Sequence, residues 1–310
     1  MPMPEVVTIG WLTLDDIVLL DGTVHQKVSG GGALYSAVGA SIWAGEVGIH
    51  ATTGSLDFAD VRSAIGQYGI DTEGISPILG HGLELWLLHE SDTDKQQVPK
   101  LASASAQRMD DERPDLAAPY RNAKGYHLAP QSPAGHLHNL TSLLELPHAP
   151  VITMDIISDA YVDARAYRNL APLASLTAFL PSREEVLRIW QPESLTRWMH
   201  EVKDACPNLI LVVKAGPAGS LVLGHESERV QWVPSFPSRV LDTTGAGDAY
   251  CGGFLAGLTQ GKSAVECAAM GTASASYVIE AFGALATQKP TAQERDERYS
   301  RILMGVEDHS

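Results

Sequence analysis

At 310 residues, with 45% hydrophobic and 19% charged side chains, the chain is long enough for one large α/β domain and too apolar for disorder. Acidic residues outnumber lysine and arginine by 37 to 22, a formal net charge of -15, which excludes a surface built to track a nucleic-acid backbone. It leaves room for one anionic ligand held by backbone amides and a metal ion.

In chain order, short β-rich runs alternate with helical patterns, the rhythm of βαβ units. Strands are predicted over Val6–Gly10, Gly48–Thr52, Val151–Asp155, Ala178–Leu180 and Leu209–Lys214, and helices over Ala33–Ala44, Phe58–Tyr68, Arg183–Ile189 and Ser194–Ala205. Two segments break this rhythm. Asp16–Val28 reads as a hairpin turning at Asp21-Gly22, and Leu83–Val98 as another turning at Ser91-Asp92-Thr93-Asp94. Hairpins inserted into an α/β body often cover its ligand crevice, so residues 11–30 and 82–100 are taken as one lid on a single domain spanning 1–310. Arg108–Pro119, charged and carrying two prolines, reads as a surface connection. Three scattered cysteines make neither a disulfide framework nor a zinc site, and Cys251 and Cys267, among small apolar neighbours, read as core thiols. The first ten residues lack a basic region followed by a long apolar stretch, and no run approaches the roughly 18 apolar residues of a membrane helix. A cytoplasmic enzyme with no membrane or nucleic-acid partner is expected, and the Asn139-Leu140-Thr141 sequon is a chance match.

Chemistry concentrates in Asp242-Thr243-Thr244-Gly245-Ala246-Gly247-Asp248, a glycine turn feeding a helix of small residues. Gly245 and Gly247 let the backbone approach a ligand closely. The amides of Ala246, Gly247 and Asp248 then point at whatever sits before the helix, aided by the positive end of its dipole. That is a cradle for a phosphoryl group in transit. A carboxylate beside an anion hole has an obvious task, accepting a proton from an attacking hydroxyl. Taken singly, the glycines read equally well as a tight turn and Asp248 as a helix-start carboxylate.

The complete string resembles the signature of the ribokinase-like (PfkB-type) carbohydrate kinases, and other segments agree in the family's order. Gly10-Trp11-Leu12-Thr13-Leu14-Asp15 resembles the end of the first strand, where an aspartate grips substrate hydroxyls. Gly30-Gly31-Gly32-Ala33-Leu34-Tyr35 resembles the di-glycine substrate motif, with Tyr35 where an asparagine is usual. Pro181-Ser182-Arg183-Glu184-Glu185 resembles the Asn-x-x-Glu motif near metal and phosphates, with Ser182 in place of asparagine and Glu185 kept. Lys214-Ala215-Gly216-Pro217-Ala218-Gly219 resembles the loop bordering the nucleotide.

The resemblance implies a three-layer α/β fold with a mostly parallel sheet and a small β lid, acting as a kinase on an alcohol such as a sugar, nucleoside or cyclitol. It implies Asp248 as base with the Gly245, Ala246 and Gly247 turn as anion hole. Asp15, Gly30, Gly31, Trp11 and Tyr35 would hold the acceptor. Lys214, Gly216, Gly219, Thr243, Gly245 and Gly247 would hold ATP, Glu185 would order the water shell of Mg²⁺, and Asp242 and Thr244 would border a monovalent cation (K⁺). Family lids pair into homodimers, and the apolar face of Leu83–Leu88, with Leu85 and Leu87, is the expected contact. A non-catalytic sugar- or nucleotide-binding regulator, or a vitamin kinase acting on pyridoxal or a hydroxymethylpyrimidine, shares the fold; an intact Asp248 turn argues against the first, and Asp15 with Gly30-Gly31 against the second.

Three features are set aside. Gly257-Leu258-Thr259-Gln260-Gly261-Lys262-Ser263 nearly spells a P-loop, but its glycines are one residue too close and it follows a helix, so Gly261 reads as a helix C-cap. His127, His136 and His138 lack further ligands at metal spacing and are placed at a surface or crevice edge. Trp43 and Trp86 are read as core rather than ligand-stacking.

Overall fold

A computed structural model describes residues 3–90, 95–157 and 167–309. The chain enters through strand β1 (Val6–Trp11) and passes directly into β2 (Thr13–Val18) and β3 (Val24–Gly30). Helix α1 (Gly32–Ala40), β4 (Val47–Gly54), α2 (Phe58–Gln67) and β5 (Ile75–Ile78) follow, then β6 (Leu83–His89) and β7 (Lys95–Pro99). Next come α3 (Ala106–Asp111), β8 (Gly125–Leu128), α4 (Pro133–Leu144), β9 (Val151–Met154), β10 (Ala178–Phe179), α5 (Arg183–Ile189), α6 (Leu195–Ala205) and β11 (Ile210–Lys214). The chain closes with β12 (Ser220–Leu223), β13 (Gln231–Val233), α7 (Ala246–Thr259), α8 (Ala264–Val278), α9 (Ala292–Met304) and β14 (Glu307–Asp308).

Among the described residues, ten strands form one sheet in the order β14-β13-β12-β11-β10-β9-β8-β1-β4-β5. From β11 to β5 every pair is parallel; β12, β13 and β14 add an antiparallel edge. Every residue of β1 is buried, as a parallel strand covered on both faces requires. Strand alternation divides its side chains: Val6 packs with Leu34 and Val38 of α1, whereas Val7 and Ile9 pack with α4 and α6 through Leu140, Leu143 and Trp198. Three layers result, with α1, α7 and α8 on one face and α4, α5 and α6 on the other. Helices α1 and α7 nearly touch, because a β-carbon on Gly252 would run into the Ser36 carbonyl and one on Gly39 into the backbone of Ala249. Small residues in both helices therefore draw their N-termini together at one end of the sheet.

The two hairpins form a separate four-stranded sheet, β3-β2-β6-β7, joined by parallel pairing of β2 with β6. The first turns at Asp21-Gly22, where Gly22 has φ 83° and Thr23 N–H bonds the Asp21 carboxylate at 2.9 Å. The turn expected at Ser91–Asp94 lies outside the described residues. Leu83, Leu85 and Leu87 point inward to Trp11, Ile17 and Met109. The lid face assigned to a dimer is thus already used within the chain, and its outer face carries the exposed Trp86 and Val98.

Two further expectations need correction. Within Arg108–Pro119, Met109 and Asp110 are buried, because α3 packs under the lid. His127 and His136 lie in the interior, not at an edge: His136 contacts Tyr167 and the Ala129 carbonyl, one through each ring nitrogen, whereas His127 bonds Thr153 Oγ1 at 2.9 Å and its buried Nε2 has no hydrogen-bond partner among the described residues. Gly261 does end α7. Lys262 N–H reaches the Gly257 carbonyl and Gly261 N–H that of Leu258, the paired bonds of a Schellman cap, before Ser263 opens α8 with a capping box to Glu266.

Burial pushes His50 and His136 down from 6.5 to about 4. The folded state keeps them neutral while the unfolded chain protonates them, so stability present above pH 6.5 is lost as pH falls through 4. Unfolding near pH 5.5 is expected to take up about two protons from these groups, and stability to drop by roughly 1.4 kcal/mol per histidine per pH unit in that window. Calorimetric unfolding enthalpies in buffers of different ionisation heat, compared between wild type and a His50→Gln/His136→Gln variant, would count the protons these two groups take up; a difference near zero would refute the assignment.

Candidate active site

The carboxyl ends of the parallel strands converge below the lid, the usual position of a ligand crevice in such sheets. A cavity of about 270 Å³ opens there, lined by Trp11, Thr13, Asp15, Gly31, Gly32, Tyr35, Leu83, Leu85, Leu87, Gln97, Pro130, Ile157 and Thr243–Asp248. The glycine turn, the residues expected to hold the acceptor and the inner face of the small sheet thus share one space. A larger cavity between α8 and α9, about 550 Å³, is lined by none of the motif residues.

Gly245 caps α7 in the left-handed region at φ 72°, and among the described residues no side chain caps the helix. The first intrahelical bond runs from Ala249 N–H to the Gly245 carbonyl at 2.8 Å, so the helix itself leaves the N–H groups of its first turn unused. Ala246 departs from expectation. Its N–H closes a turn onto the Thr243 carbonyl at 3.3 Å rather than pointing at the space before the helix. A β-carbon on Gly245 would fall inside the ring of Tyr35, so glycine is required there by close approach as well as by φ. Asp248 Oδ1 would lie 2.8 Å from a β-carbon on Gly32. The carboxylate therefore sits where the N-termini of α1 and α7 meet, between two positive dipole ends.

Beneath the turn lies a buried polar cluster that the sequence reading did not assemble. Lys214, at the end of β11, sends its ammonium inward to Asp155 rather than out along the Gly216–Gly219 loop. Its Nζ is 3.4 Å from Cys251 Sγ and 3.3 Å from where a β-carbon on Gly247 would stand. Burial alone would lower the Lys214 pKa, but Asp155 and neighbouring acids outweigh it and hold the group well above its usual value. Burial raises Asp155, opposed by Lys214. Glu185 joins from α5, whose capping box pairs Ser182 with Glu185; Ser182 N–H bonds the Glu185 carboxylate at 2.6 Å. Burial, then Asp155, pushes Glu185 up to about 8. Two acids this close repel when ionised, a cost that a divalent cation and its water shell beside them would relieve.

The residues expected to hold the acceptor come from β2 and α1. Asp15, buried on β2 rather than ending β1, accepts Thr13 Oγ1 at 2.9 Å, and a side chain on Gly30 would collide with its carboxylate. Gly31, at φ 98°, starts α1 against the Trp11 carbonyl. Tyr35 is buried, its hydroxyl held well above the usual value by burial and then by Asp242, Asp15 and Asp248, so it remains a neutral wall. Trp11 donates its indole N–H to Asp110 at 3.1 Å, and Ser132 holds the other oxygen of Asp110. Trp43 bonds Ser274 in the α1–α8 packing, and Trp86 lies outside the cavity with Lys100 over its ring at 5.3 Å. Gly216 and Gly219 form a turn after β11, fixed from β13 by Trp232 Nε1 on the Ala218 carbonyl. Asp242 Oδ1 accepts both the N–H of Thr244 at 2.9 Å and its Oγ1 at 2.6 Å, and His89 Nε2 approaches the same oxygen at 3.6 Å. Three N or O groups crowded on one carboxylate oxygen do not fit a cation shell at that atom.

Residues 13–292 match the family described as pfkB family carbohydrate kinase. The chain belongs to this family. As a pfkB-family member it is a phosphotransferase with an alcohol group as acceptor, a sugar or nucleoside kinase on the ribokinase-like fold. It is 26% identical over 291 residues to a cytidine kinase of Thermococcus kodakarensis, covering 91% of this chain and 98% of the relative. Among solved structures it resembles a probable sugar kinase from Rhizobium etli (TM-score 0.77, 19% identity, 96% and 100% coverage). A Burkholderia thailandensis nucleoside kinase in complex with ADP-inosine is similar too (TM-score 0.72, 16% identity, 98% of each chain).

Asp155, His89, Gln97 and Asp110 were not singled out from the sequence. An acid at the end of the apolar run 151–154 was a usable signal for Asp155. The others depend on how lid and body meet, which no local pattern encodes.

Proposed function

We propose that this protein is an ATP-dependent nucleoside kinase, with Asp248 as the general base. The observation that carries this reading is the composition of the 270 Å³ cavity, which has carboxylates toward the helix N-termini and Trp11, Tyr35, Leu83, Leu85 and Leu87 around the remainder. Such walls suit a flat heterocycle, while Asp15 and Asp248 suit ribose hydroxyls. The similarity to a cytidine kinase over nearly the whole chain supports the same class.

Asp15 orients the acceptor and Asp248 takes the proton of the attacked hydroxyl as the phosphoryl group arrives at the amides of Gly247 and Asp248. The Lys214 ammonium beneath Gly247 adds positive charge to that position. Gly216 and Gly219, with Thr243, border the nucleotide, and Glu185 orders water around Mg²⁺, which neutralises phosphate charge when bound. The lid sheet excludes water that would otherwise accept the phosphoryl group. The outer lid face with Trp86 and Val98 pairs two copies into a homodimer. Among the described residues no helix is long and apolar enough to cross a membrane, and a cytoplasmic location is part of the proposal.

The test is ATP consumption over a panel of nucleosides, cyclitols, pentoses and hexoses. A nucleoside is expected to give the highest kcat/KM. Efficient turnover of free ribose with nucleosides inert would overturn the assignment.

A further inference from the structure

Strand β6 carries Leu83, Leu85 and Leu87 on the cavity side, and period-two alternation puts His89 next in that row. His89 is thus the last inward residue of the lid strand. Its side chain is 9% exposed, and its Nε2 is buried with no hydrogen-bond partner among the described residues. The atom it faces is Asp242 Oδ1, at 3.6 Å, on a side chain only 1% exposed.

Asp242 is the residue that shapes the turn before α7. Through Oδ1 it holds both the amide and the hydroxyl of Thr244, one residue before the capping Gly245. Its own N–H, and that of Leu241, are tied to the Ile279 carbonyl at the end of α8. A buried carboxylate so placed is costly unless it is matched by donors or positive charge. The resemblance that identifies the turn would supply a monovalent cation, yet the third approach to Oδ1 is taken by an imidazole carried on a different sheet.

We infer that His89 is a positioning residue that replaces a monovalent cation at Asp242, so that seating the lid also fixes the turn forming the phosphoryl site and turnover is independent of K⁺. A gap of 3.6 Å is longer than a formed hydrogen bond. A shift of under an ångström, within what lid closure over substrate provides, brings the imidazole N–H onto the carboxylate. The lid would thereby report its position directly to the anion hole, through one side chain and without an intervening ion.

The inference rests on reading that turn as the phosphoryl site, so its test has two independent readouts. First, kcat and KM of wild type, His89→Ala and His89→Gln are measured with the best nucleoside in potassium chloride and in choline chloride at equal ionic strength. Wild-type kcat should agree within about twofold between the salts, His89→Ala should lose about tenfold in kcat, and His89→Gln, which keeps a donor, should recover most of it. Second, without substrate, the thermal midpoint of wild type should not differ between the salts, and amide exchange in β6 and β7 should quicken in His89→Ala but not in His89→Gln. If no acceptor is turned over, the proposed function fails while the midpoint and exchange data still decide the role of His89. A wild-type enzyme whose kcat or midpoint rises in potassium over choline overturns the inference. So does His89→Ala with unaltered kcat, or with unaltered lid exchange where nothing is turned over.

Discussion

Asp248→Asn is expected to lower kcat by about 10²- to 10⁴-fold, the range for a lost general base, while nucleotide affinity changes little. The amide matches the carboxylate in shape and retains its place between Gly32 and the first turn of α7, so the fold has no reason to change. What is lost is the ability to take the proton. Phosphoryl transfer depends chiefly on positioning and charge stabilisation, with the base orienting the nucleophile, so the damage falls on kcat. Gly247→Val separates this from damage to the cradle. Among the described residues a β-carbon there meets only the Lys214 side chain, with Nζ at 3.3 Å, so the variant should fold but obstruct the proposed phosphoryl position and weaken nucleotide binding as well. Single-turnover rates beside nucleotide dissociation constants distinguish the two variants. An Asp248→Asn enzyme keeping more than about a tenth of wild-type kcat, above what loss of a base permits, would remove Asp248 from that role.

How much of this was legible in the sequence follows from what each residue depends on. The run Val6–Gly10, the α5 segment Arg183–Ile189 and the Gly261 cap obey local rules, namely β-branched composition, capping chemistry and left-handed glycine, and local rules are written in neighbouring residues. The α7 turn was legible for the same reason, since its glycines and Asp248 are contiguous. Even there, the Ala246 amide was misassigned, because its bond to Thr243 depends on how tightly the turn closes. The two hairpins were read correctly, but which face of Leu83–His89 turns inward depends on contacts with Met109 and Trp11 from distant segments. The charged composition of Arg108–Pro119 concealed Asp110, which is buried because Trp11 and Ser132 give its carboxylate partners. Lys214 was found by its motif, yet placed toward the nucleotide loop; Asp155, 59 positions away, turns it inward. Burial of a charge is decided by its partner, and the partner is a tertiary fact.

That buried pair carries the second large expected effect. Lys214→Met removes the cation and leaves Asp155, 3% exposed, without its counter-charge. Breaking a buried pair from one side costs about 3–5 kcal/mol, because the remaining charge must be neutralised or stay buried unpaired. At roughly 2–3 °C per kcal/mol for a chain of this size, the thermal midpoint should fall by about 10 °C. The double variant Asp155→Leu/Lys214→Met removes both charges from a site already bounded by Cys251, and replacing a buried pair with apolar groups is often near neutral. Its midpoint should return most of the way to wild type. Its kcat should not, since the lost ammonium also stood beneath Gly247 at the proposed phosphoryl position. Stability and rate are therefore expected to separate in the double variant. A Lys214→Met midpoint within about 2 °C of wild type, the shift of a single kcal/mol, would refute the buried-pair argument. A double variant that regains full kcat would confine Lys214 to balancing Asp155 and remove it from the chemistry of the turn.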